Sequence, residues 1–207
     1  MTMDAPDHRK WRGLIRHEFT PEGVREQEAR LRALTKEILA PLLKKGQFDI
    51  YSELANRVTC INAGHNLGLP REDAEKWRAL IDDMLHREEG QVGGSSPRNQ
   101  AAAQELFGYF GQYVHQLRND PALAQRYTKI FLEANVEGRT LTDEEMMFHL
   151  FSLLVVGSET TPITVAGTFW NLQNNPDQKA AVLAEAKEGK FDLARKAFLE
   201  TIRFDQP

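Results

Sequence analysis

The residues best suited to chemistry in this 207-residue chain lie in LLVVGSETTPITVAG, residues 153–167. There Gly157, Glu159, Thr160, Thr161 and Pro162 break into an apolar run of helical character. A carboxylate can pass protons, and a hydroxyl can donate or accept a hydrogen bond at a ligand atom. Pro162 removes one backbone donor, which in a helix interior costs about 3 kcal/mol. Thr160 is placed to return its hydroxyl to the carbonyl one turn back, a contact that bends helices. Gly157 lies three and four positions before Thr160 and Thr161, which leaves a gap below their hydroxyls. A gap, a hydroxyl and a carboxylate on a distorted helix predict a small polar pocket in an apolar wall. Such a pocket suits a small ligand and delivery of a proton to it. By itself the stretch fits equally a kinked core helix whose Glu159 reaches solvent or a basic partner.

The elements that must position these groups read as helices. Thr142-Asp143-Glu144-Glu145 is a capping box. It opens a helix from Asp143 to Leu172, roughly 45 Å long, that should stop at Asn174-Asn175-Pro176. So long and apolar a helix crosses the middle of a domain, and the polar groups at its midpoint are expected to be buried. Thr20-Pro21-Glu22 starts another, with Val24, Leu31, Leu34, Ile38 and Leu42 at helical spacing and a stop at Lys44-Lys45-Gly46. Further helices are predicted from 49 through Cys60 to a break at 68–70, and over 72–85, 101–117, 123–133, 177–187 and 192–204. HREEGQVGGSSPRN, residues 86–99, has loop composition. No strand pattern and no internal repeat emerge, so the fold class is mainly α, bundle-like, in a single domain over 1–207.

Composition narrows the function. Hydrophobic content of 41% and charged content of 27% suit a globular protein. A net charge of −4 gives no electrostatic footprint for nucleic acid or an anionic membrane. MMFHLFSLLVV, residues 146–156, is too short to span a bilayer, and the N-terminus shows no apolar signal core. Cys60, the single cysteine, excludes an internal disulfide and a zinc site on paired cysteines, and suits a reducing cytoplasm. Its apolar neighbours predict a small buried thiol.

The stretch Gly157-Ser158-Glu159-Thr160-Thr161 resembles the oxygen-binding helix signature of the cytochrome P450 family. Two more stretches resemble that family in the right order. Asp7-His8-Arg9-Lys10-Trp11-Arg12 followed by Phe19-Thr20-Pro21 is similar to its haem-facing His-x-x-x-Arg helix, and FLETIRFDQP (198–207) to its Glu-x-x-Arg helix, here Glu200 and Arg203. NNPDQ (174–178) resembles the connection after the family's central helix. Glu-x-x-Arg alone is unspecific, since Glu22/Arg25 and Glu75/Arg78 match it too. The combination is specific and covers essentially the whole chain.

The resemblance implies a cytochrome P450 fold, its central half only, around haem b. His8 and Arg12 contact haem propionates, which an arginine fork binds well. The central helix lies over the porphyrin, with Gly157 leaving room for dioxygen and Val156 replacing the family's first small residue. Thr160 hydrogen-bonds the bound oxygen, Glu159 passes protons so that the O–O bond breaks, and Thr161 is the alternative hydroxyl. Glutamate here replaces the commoner aspartate. Glu200 and Arg203 tie the core on the thiolate side, and 86–99 forms the substrate-access lid.

The family's iron-ligating cysteine lies beyond the Glu-x-x-Arg helix, so no metal ligand is expected in this chain, and Cys60 is no substitute. Most of the sheet is also expected to be absent. The chain therefore reads as an internal fragment, truncated at both ends. Alone it is expected to be poorly folded and inactive. The resemblance implies a parent enzyme that inserts one atom of O2 into a small organic substrate, with electrons from a ferredoxin or similar donor, in the cytoplasm. No nucleic-acid or membrane partner is expected. The alternative is a catalytically dead helical remnant, or a ligand-binding or interaction module without haem.

Overall fold

The structure, a computed structural model, describes residues 4–90 and 95–205. Side-chain caps set several helix boundaries. Thr20 accepts from the Gly23 N–H at 3.3 Å, and Pro21 fills the first turn of α2 (Pro21–Lys45), which ends at Gly46 with φ +82°. Ahead of it, α1 (Asp7–Ile15) carries the His8/Arg12 pattern. Beyond it lie α3 (Asn56–Asn66), α4 (Ala74–Leu85), α5 (Pro97–Asn119) and α6 (Arg126–Glu133). Thr142 and Glu145 exchange the two bonds of the expected capping box at the head of α7 (Asp143–Asn174). The chain continues in α8 (Pro176–Lys187) and α9 (Asp192–Asp205).

Three local readings are corrected. The segment before α3 is a π-helical turn, Ile50–Ala55, capped by Asp49, whose side chain accepts from the Ser52 N–H at 2.6 Å. A two-residue hairpin pairs β1 (Asn135–Val136) with β2 (Arg139–Thr140) through a turn at Glu137 and Gly138, both at positive φ. Finally, α5 begins at Pro97, not near 101. Ser96 caps it, and Asn99 donates to the carbonyls of Asp83 at 2.8 Å and His86 at 3.0 Å. The loop predicted over 86–99 is thus shorter at its far end, and its residues 91–94 lie outside the described residues.

The core gathers around α7, which packs on α3, on α5 and, further along, on α9. Trp77, Leu106, Phe110, Phe131, Leu150 and Leu154 are fully buried there. Close approach of α3 and α4 depends on Gly64, where a Cβ would stand 2.4 Å from the Trp77 ring. The expected interruption of α7 does not occur, and the helix runs unbroken through the buried Pro162. Thr160, Thr164 and Thr168 donate to the carbonyls of Val156, Thr160 and Thr164 at 3.1, 3.0 and 2.7 Å. By length and composition α7 is long and apolar enough to cross a membrane. Its contacts with α3, α5 and α9 are those of a central helix, and one of its faces is left open.

Candidate functional site on α7

Each residue turns a helix by about 100°, so positions 156, 160 and 163 share one face. That face is open: Val156 is 61% exposed, Ile163 is 40% exposed, and Thr160 and its neighbour Thr161 are exposed as well. Of Ser158, Glu159, Thr160, Thr161 and Thr164 near the midpoint of α7, Ser158 and Thr164 are buried as expected and the other three are not. Thr160 commits its hydroxyl proton to the Val156 carbonyl. What it presents outward is an acceptor oxygen.

Gly157 plays a different part from the gap expected under the hydroxyls. A Cβ there would lie 3.3 Å from the Ala63 Cβ, so the missing side chain lets α7 close on α3. The same glycine also borders a cleft of about 470 Å³ with Phe19, Leu31, Leu67, Val156 and Thr161.

Glu159, one residue's rotation from Thr160, is half-buried and makes no ion pair among the described residues. Burial raises its pKa, the Asp82 carboxylate raises it further, and the Tyr51 hydroxyl opposes both. No hydrogen bond joins it to Thr160 or Thr161 among the described residues.

His8 and Arg12 are exposed on α1. Between them Trp11 lies 5.0 Å from the His149 ring, which stacks in turn on Phe131 at 5.1 Å. This sandwich fastens α1 to α7 seven residues before Val156. The sequence marked His149 only as a polar residue in an apolar run; its ring partners depend on tertiary placement. Burial lowers its pKa. Arg12 makes no ion pair among the described residues and borders an opening of about 560 Å³ with Ile15, Arg16 and Phe19. Phe19 also borders the cleft against α7, so the cationic end of α1 and the α7 cleft adjoin.

Cys60 is buried as expected. Its thiol donates to the Ala74 carbonyl at 3.4 Å, and burial pushes its pKa up to about 11, away from the thiolate form a metal requires. Among the described residues no group of three or more His, Cys, Asp or Glu could hold a metal ion. Glu200 and Arg203 pair with each other along α9, both largely exposed, and tie that helix to nothing else among the described residues. Their expected core-tying contact is not made within this chain.

An open apolar face carrying hydroxyls, adjoining an unpaired guanidinium, complements a flat apolar macrocycle with carboxylate arms. On that test the residues fit haem.

No family model matches the chain. Its similarity to known proteins is nonetheless end to end. It is 33% identical over 205 residues, 99% of its own length, to the curated protein named cytochrome P450 123 of Mycobacterium tuberculosis, and covers 49% of that protein. It is 28% identical over 206 residues to the cyclomarin C epoxidase of Salinispora arenicola, covering 98% of this chain and 50% of the relative. Among solved structures, the himastatin post-tailoring hydroxylase HmtN superposes with TM-score 0.80 at 28% identity, over 98% of this chain and 50% of that one. The chain spans about half the length of the curated relatives it matches.

Proposed function

We infer that this chain, which belongs to the cytochrome P450 family and matches its central half, forms the oxygen-side wall of a haem-thiolate monooxygenase. The observation that carries the reading is the open face of α7, where Val156, Thr160 and Ile163 stand uncovered. Haem b bound there would supply the oxidising chemistry, in which one atom of O2 enters an organic substrate and the other leaves as water. Val156 and Ile163 exclude water from the apolar wall. Arg12, with His8 one turn before it, binds the carboxylate arms. Thr160 offers its acceptor oxygen to the ligand, with Thr161 as the second hydroxyl. Glu159 holds a proton on its carboxyl and releases it toward that side of α7. Gly157 keeps α7 seated on α3, and Glu200 with Arg203 has a structural role. Relatives named as a hydroxylase and an epoxidase support oxygen insertion.

The thiolate ligand is proposed to come from outside these 207 residues, because Cys60 is held as a thiol. The 207 residues alone are then inactive. The whole enzyme is soluble and cytoplasmic, takes a small organic substrate and receives electrons from a ferredoxin or a similar carrier. Thr160→Ala in the full-length protein tests this reading. Oxygen consumption should continue while product falls and peroxide rises; unchanged product yield would move the role to Thr161 or to water. A full-length protein that folds without haem would favour a helical ligand-binding module.

A further inference from the structure

Asp73, the last residue before α4, stands where an aspartate ordinarily caps a helix, yet its side chain accepts no backbone N–H there. It accepts instead from the Tyr109 hydroxyl on α5, at 2.9 Å. Burial and that bond both raise the phenol's pKa, so Tyr109 keeps its proton and gives it to the carboxylate. What remains free on Tyr109 is an acceptor oxygen. Asp73 is half-buried and makes no ion pair among the described residues. Both side chains border a cleft of about 450 Å³ between the α3–α4 connection, α5 and the turn Pro121–Leu123. Close backbone approach builds one wall of it. Gly68, at φ +70°, lies against the Tyr113 hydroxyl, where a Cβ would stand 2.8 Å away. That hydroxyl reaches the carbonyls of Leu67 at 2.9 Å and Gly68 at 3.0 Å, and its one proton cannot fully serve both. Gln112 and Gln116 bring carboxamides that make no hydrogen bond among the described residues. No Lys, Arg or His lines the cleft among the described residues. The Lys76 ammonium stands 5.9 Å from the centre of the Tyr109 ring but is engaged by Glu105 at 3.1 Å.

We propose that this cleft binds a small organic cation bearing N–H donors, an alkylammonium or alkylguanidinium, with Asp73 as its counter-ion. One carboxylate, an excess of acceptor oxygens and no positive charge suit a donor-rich cation and repel an anion. Asp73 takes the phenol proton on Oδ2, which leaves Oδ1 for the ligand. Hydrogen bonds to an ionised group are the strong ones, so Asp73 carries the recognition. The Tyr109 oxygen and the glutamine carbonyls accept the remaining N–H groups, and the alkyl chain lies against Pro70 and Leu123. A single carboxylate is too little charge to hold calcium tightly, which favours the organic cation over a metal. None of the lining residues belongs to α7, so this site is separate from the open face and does not rest on the haem reading.

The test titrates the full-length protein with butylguanidinium, which stays charged at any working pH and has no lone pair to offer a metal. Binding is read from the ¹⁵N signals of the glutamine side-chain amides, assigned by Gln112→Leu and Gln116→Leu. These signals should shift saturably in the wild type. Butylurea, of the same shape without the charge, should bind about ten-fold more weakly, and Asp73→Asn should weaken butylguanidinium by about the same factor. Leu123→Lys, at an exposed position, places a cation at the cleft and should weaken binding likewise. That variant keeps the test decisive should Asp73→Asn fail to fold. No saturable shift at these amides, equal binding of butylurea, or binding unchanged in both variants overturns the proposal. The readout involves neither haem nor turnover, so its failure and that of the family reading are distinct.

Discussion

The proton on the Thr160 hydroxyl is spent on the Val156 carbonyl, so replacing that side chain removes an acceptor from the open face while leaving helix bonding intact. Thr160→Ser should keep product formation, and Thr160→Ala should lower product per oxygen by on the order of 10²-fold, the usual scale for a proton-handling group. Cys60 gives a prediction independent of catalysis. Its pKa is raised from 9.0 to about 11, so thiol alkylation in the folded protein at pH 8 should run about 100-fold slower than in denaturant. Comparable rates would place the thiol in contact with solvent. The residue types of the site were legible because an acid and two hydroxyls are conspicuous in an apolar run. Their surroundings were not. Whether Gly157 opens a gap or admits a neighbouring helix depends on Ala63, which lies 94 positions away in sequence.

At the level of elements, boundaries written in local chemistry were readable. Thr20-Pro21, Gly46 and the Thr142/Glu145 box work within one turn of chain and need no tertiary information. The π turn at 50–55 carries the same amphipathic pattern as an α-helix over so few residues, and the hairpin strands are too short to show alternation. The start of α5 was missed because Ser96-Pro97 was read as loop composition rather than as a cap and first-turn proline. Helix contacts yield a direct comparison. Gly64→Ala drives a Cβ to 2.4 Å from the Trp77 ring and should destabilise by about 1–3 kcal/mol. Gly157→Ala, at 3.3 Å from Ala63, should lose less, and thermal melts of the pair would show the order. At the head of α7, Arg139 grips Glu145 with two bonds of 2.7 Å and holds its pKa at about 2, against an ordinary 4.5. A depressed carboxylate contributes stability that is present above 4.5 and lost as pH falls toward 2. Arg139→Ala should therefore flatten the acid side of the stability curve over that window. An unchanged curve would mean the pair is screened by solvent, as exposed pairs often are.

For the molecule as a whole, the organising feature is one long helix that is packed by α3, α5 and α9 but uncovered where its chemistry sits. The sequence conveyed the length of α7 but placed its midpoint polar groups inside, because an apolar helix of that length ordinarily has neighbours all round. The uncovered face, and Arg12 without an ion pair among the described residues, are the two features on which the haem reading proposed above rests. The most direct test is the haem content of the full-length protein when a charge is placed on that face. Wild type and Leu43→Asp, a change at an exposed leucine on α2, should carry haem in full. Val156→Asp should lose most of it, and Arg12→Glu should bind it more weakly. Haem content indifferent to Val156→Asp, or a folded wild type with no haem, would contradict the account.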